Sequence, residues 1–102
     1  MARYQILYWK EIPSVVEAIE KETSVQVSLS PRFQELIDAV AMSEGISESD
    51  AYLEHWHKGP VLVCEGTPEE VAEAVAAELE EGFATLRARY FQGPVGSGPV
   101  GQ

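Results

Sequence analysis

The chain has 102 residues, a size at which one hydrophobic core closes without disulfides or metal. Seventeen acidic residues against seven basic ones give a formal charge of −10, which argues against nucleic acid or an anionic membrane surface as partner, since both are held through Lys and Arg. The 45% apolar and 24% charged residues are those of an ordinary globular fold, and a single cysteine, Cys64, excludes an intrachain disulfide.

Residues 3–9 alternate, with Tyr4, Ile6 and Tyr8 on one side and Gln5, Leu7 and Trp9 on the other. Large side chains on both sides predict a central strand covered at least partly on each face, ended by Ile12-Pro13. Residues 14–29 admit two readings. Val15, Val16 and Ile19 fit a short helix begun by Pro13, or residues 16–19 form a strand that turns at 20–23 into a second strand carrying Val25, Val27 and Leu29 on one face. We favour the hairpin.

Ser30-Pro31 predicts a helix start, with Ser30 as N-cap and Pro31 where its missing N–H costs nothing. Phe33, Leu36, Ile37, Val40 and Ala41 follow at helical spacing, and Gly45 is a natural left-handed stop. A shorter helix is expected from Ser47, carrying Tyr52, Leu53 and Trp56 and ended by Gly59-Pro60. Residues 61–64 (VLVC) read as a buried strand. Thr67-Pro68-Glu69-Glu70 is the strongest local signal, a capping box with two carboxylates at the positive end of the helix dipole. Val71, Val75, Leu79 and Phe83 then recur every four residues, with a loosening at Gly82. Residues 92–102 (QGPVGSGPVGQ) cannot bury enough area to offset ordering, so a disordered tail is expected after a single domain over residues 1–91. The expected fold is α+β, a mainly antiparallel sheet of about four strands with helices packed on one face, in the order β-β-β-α-α-β-α. No leader-like apolar region opens the chain and no apolar run nears the roughly 20 residues that span a bilayer, so a cytoplasmic location is expected.

Chemistry-bearing groups are few. His55, His57 and Cys64 form an N/S donor set that would suit zinc, but their spacing matches no standard site, and histidines at a helix end are the plainer reading. Cys64 lies in an apolar run, where a thiol is ordinarily inert. Glu69, Glu70, Glu73, Glu80 and Glu81 look like a solvated helix face. No phosphate-loop, dinucleotide, nucleophile-elbow or zinc-protease motif occurs. The expectation is therefore no metal, no cofactor and no catalysis. The aromatics divide between core and surface. Trp9, Tyr52 and Trp56 are the candidate binding patch for a protein partner.

Four segments taken together, residues 3–13 (RYQILYWKEIP), 30–38 (SPRFQELID), 50–56 (DAYLEHW) and 69–80 (EEVA leading into Val75 and ELE), resemble the small bacterial "virulence factor" domain family. That family's name describes a phenotype, and the resemblance carries over no catalytic residue. Its members stand alone or form a module of larger proteins of the conserved virulence factor C type, beside an iron–sulfur scaffold-like domain and helical repeats. Stand-alone relatives lie near folate- and corrinoid-dependent methyl-transfer genes. The resemblance thus implies an accessory or binding module. Two functions are expected on these grounds. One is a non-enzymatic protein-binding module using the Trp9, Tyr52 and Trp56 side. The alternative is an accessory subunit that binds or delivers a small cofactor or metal in one-carbon or iron–sulfur metabolism. A half-covered sheet would also allow two copies to pair through its bare face.

Overall fold

A computed structural model describes residues 1–91, and the expected Gly/Pro tail at 92–102 lies outside them. Two tight turns build an antiparallel meander of β1 (Ala2–Trp9), β2 (Ile12–Glu20) and β3 (Thr23–Ser28). Each turn places a lysine in the left-handed region, Lys10 and Lys21 both at φ 56°. An L-residue there costs roughly 1–2 kcal/mol, accepted because such turns match the right-handed twist of the strands. The favoured hairpin over residues 14–29 is the one observed. Pro13 does not break the run, however; it lies buried inside β2. Tyr8 pairs with Pro13 and Leu7 with Val15, leaving Ser14 as the extra residue of a bulge, a place where a missing ladder N–H is tolerated.

The order is β3-β2-β1-β4, with β5 also on β1, all antiparallel, so β1 is the central strand. Strand β4 (Trp56–Lys58) was not foreseen. The expected second helix starts at Asp50 rather than Ser47 and ends at Glu54 as α2, so Trp56 stands on a strand paired with Trp9 instead of on a helix. The apolar run at 61–64 does form a strand, β5 (Leu62–Cys64), but an exposed one: Val61, Leu62 and Val63 all lie open to solvent. The reason is coverage. Helix α3 (Pro68–Glu81) packs on β1, β2 and β3, and β4 and β5 lie beyond it on the far side of β1.

Strand alternation sorts the sheet into two faces. Ile6, Val16 and Ala18 are buried on one, against Val71, Ala72, Val75 and Ala76 of α3, all within one core cluster. The other face carries three transverse rows. Val63, Arg3, Ile19 and Ser24 form the first; Gln5, Glu17 and Gln26 the second; Lys58, Leu7, Val15 and Ser28 the third. None of these residues is buried.

The capping box at Thr67 forms as expected: Thr67 Oγ1 accepts from Glu70 N (3.2 Å) and Glu70 Oε1 from Thr67 N (3.1 Å). Gly82 interrupts the helix, and α4 (Phe83–Phe91) resumes. In α1 (Pro31–Ser43) the expected five apolar residues are buried, and Gly45 follows with φ 72°. Ser30 does not cap its own helix. Its N–H (2.7 Å) and hydroxyl (2.8 Å) both donate to the Glu80 carboxylate, which also takes Arg32 Nη2 at 3.0 Å. Glu80, expected on a solvated face, instead ties α3 to the start of α1. Burial opposes its charge, but the Ser30 bonds and Arg32 outweigh it and hold its carboxyl below the usual range. A carboxylate with a lowered folded pKa stabilises above its unfolded value, and that contribution fades as pH falls through the folded one. Glu80→Gln is therefore expected to lower stability by about 0.5–1 kcal/mol at neutral pH, a modest figure because solvent screens the partly exposed Arg32 pair, and to flatten the acid limb of the stability curve below about pH 5. Urea titration from pH 7 to pH 3 would check it. Among the described residues, no helix is long and apolar enough to cross a membrane.

Candidate functional site

The aromatic residues gather where the β1–β2 turn meets α2 and β4. Trp9 is wholly buried. Its Nε1–H donates to the Tyr52 carbonyl at 2.7 Å, and its ring lies 5.5 Å from that of Tyr52 and 5.4 Å from His55. Tyr52 in turn meets Trp56 edge-on at 6.3 Å. The expectation that Trp9 forms part of an exposed patch is thus corrected. Trp9 is the support beneath the patch, because its ring packs against Tyr52 and His55 and its N–H finds an acceptor in the Tyr52 carbonyl.

Tyr52 and Trp56 are half-buried, with faces left open. Beside them Leu53 is 66% exposed, and α2 buries no residue at all. A helix of five residues cannot hold itself. Here Trp9 clamps its backbone, and the Lys10 N–H donates to the His55 carbonyl at 3.1 Å. His57 Nε2 faces the Lys10 carbonyl at 2.8 Å and so must carry the proton. The Lys10 ammonium reaches Glu44. The turn, α2 and β4 therefore form one tied unit. Leu53 escaped the sequence reading as a surface residue because it sits between two aromatics; only the brevity of α2 and the charge at Glu54 hint that it faces out. Glu44, Glu48, Asp50 and Glu54 are all exposed around this unit in the chain.

The other candidate residues are not brought together. His55 packs on Trp9, whereas His57 stacks on Tyr8 at 5.6 Å. Cys64 pairs with Ala2 and His57 with Tyr8. Those partners stand six positions apart along β1, about 20 Å at strand spacing. The ligand set His55, His57 and Cys64 is therefore not assembled by the fold, and no imidazole reaches the Cys64 thiol. Among the described residues, no three His, Cys, Asp or Glu side chains are grouped to hold a metal. Two open grooves of about 410 and 450 Å³ border α4. In the first, Arg32 is already engaged by Glu80. In the second, the Tyr8 hydroxyl is pushed up by burial and by Tyr4, which keeps it a neutral phenol.

Fold and surface define a small α+β domain with a supported aromatic ledge. A family model described as "Virulence factor" matches residues 7–89, and the chain belongs to that family. No curated protein and no solved structure matches it.

Proposed function

We propose that the protein is a binding module that docks another protein on the ledge formed by Tyr52, Leu53 and Trp56. The supporting observation is the exposure of Leu53 between two half-open aromatic rings, on a helix whose backbone is clamped from below. Aromatic anchors with an apolar neighbour are the usual centre of a binding hot spot, and a fixed backbone lowers the ordering cost of association. The partner's matching surface is basic. Glu48, Asp50 and Glu54 flank the ledge in the chain, and the net charge of −10 would speed encounter with a cationic surface and slow it with an anionic one.

The test is affinity capture with the wild type and three variants, Leu53→Asp, Trp56→Ala and a control, Ala77→Asp, on the exposed side of α3. A partner held by wild type and control but lost by both ledge variants supports the reading. A partner retained by folded Leu53→Asp overturns it. The cofactor-delivery alternative draws on family context alone; no feature of this surface adds to it.

A further inference from the structure

We infer that β3 is the edge along which two copies of this chain join into one continuous sheet, on the side away from the ledge. The sheet has two edges, and only one of them is blunted. On the β1 side the edge is split into β4 and β5, two strands of three residues with Gly59-Pro60 between them. On the other side β3 runs unbroken. Its six residues, TSVQVS, include no proline and no charge, and they pair with β2 in one register without a bulge. An edge left this open is a template for another strand.

The backbone of β3 is set to receive one. Lys21-Glu22 is a two-residue turn, so its flanking pair, Glu20 and Thr23, is hydrogen-bonded, and bonded pairs recur at Val25 and Val27. The Leu29 N–H continues the series, donating to the Ser14 carbonyl at 2.9 Å. The N–H and C=O groups of Ser24, Gln26 and Ser28 therefore point away from β2. All three residues are exposed, and among the described residues no strand but β2 pairs with β3.

The sequence selects the occupant. Residues 24–28 read SVQVS, the same in both directions. A twofold axis through Gln26, normal to the sheet, sets Gln26 opposite Gln26 of the second copy, Val25 opposite its Val27 and Ser24 opposite its Ser28. The three outward-facing residues then all fall in hydrogen-bonded pairs, with two N–H···O bonds in each. The half-buried valines meet beside α3, and the polar side chains meet on the other face. An isologous contact needs this kind of self-complementarity. Charge does not oppose it along the strand. The chain carries −10, yet β3 carries none, so no like charges stand opposite each other. A charged partner strand would find no counter-charge there.

Analytical ultracentrifugation tests it at about 0.15 M salt, which screens the acidic helices of the two copies, and at up to about 100 µM chain. Wild type is expected to sediment at twice the 11.2 kDa chain mass. Gln26→Lys and Gln26→Glu should each weaken the dimer by at least about tenfold with an unchanged circular dichroism spectrum, because residue 26 faces itself in this register. Mixing the two variants should restore a dimer, since an ammonium then faces a carboxylate. Hydrogen exchange of the wild type needs no variant: the amides of Ser24, Gln26 and Ser28 should slow as concentration rises. A wild type that stays monomeric overturns the inference. So does a dimer indifferent to both variants, a mixture that remains monomeric, or exchange at those three amides that ignores concentration.

Discussion

Trp9→Ala is expected to destabilise the fold by about 3–5 kcal/mol, the usual cost of truncating a buried aromatic. Three losses combine at this position. The indole is 0% exposed, so its whole volume becomes a cavity. The Tyr52 carbonyl loses its donor at 2.7 Å. The rings of Tyr52 and His55 lose the surface they pack on. A domain of this kind has about 5–15 kcal/mol in total, so the variant should melt far lower, with α2 loosening first. Trp9→Phe separates the contributions: it keeps most of the packing and drops the N–H, at an expected cost nearer 1–3 kcal/mol. Urea denaturation of the three chains measures both. A loss below 1 kcal/mol for Trp9→Ala would show that the ring is not the keystone of this end of the sheet.

Leu53→Asp is expected to do the reverse, leaving the fold within about 0.5 kcal/mol of wild type while weakening partner binding by about 2–4 kcal/mol, roughly 30- to 1,000-fold. The asymmetry follows from exposure. Leu53 has little to lose on mutation in the free chain, since 66% of it already meets water. In a complex it would sit at the centre of the ledge, where a carboxylate would be desolvated without a partner. The added negative charge would also stand beside Asp50 and Glu54. Trp56→Ala should weaken binding as much but cost the fold more, because Trp56 also pairs with Trp9 in the sheet. Thermal melts beside titrations with the captured partner give both numbers for each variant.

Much of this architecture is legible in the residue patterns alone. Period-two alternation at residues 3–9 and 24–28, the capping box at Thr67 and the four-residue recurrence of Val71, Val75 and Leu79 each belong to one element, so local rules sufficed. What escaped was decided between elements. Strand β4 has three residues, too few for periodicity, and exists because β1 offers Trp9 as a partner. The apolar run at 61–64 looked buried because hydropathy cannot tell a covered strand from one beyond the reach of α3. Glu80 looked solvated until Ser30 and Arg32 arrived from 50 and 48 residues away. The candidate site divides the same way. Tyr52 and Trp56 were nameable as aromatics in a polar helix, but that Trp9 lies beneath them and Leu53 beside them depends on which way a five-residue helix is clamped.

The account stands on the ledge being the place where a partner lands. Hydrogen–deuterium exchange of the chain alone and with its captured partner locates that place directly. New protection is expected at the amides of residues 50–58, with α3 and α4 exchanging as before. Protection confined to α3, α4 or the sheet face, with 50–58 unchanged, would contradict it.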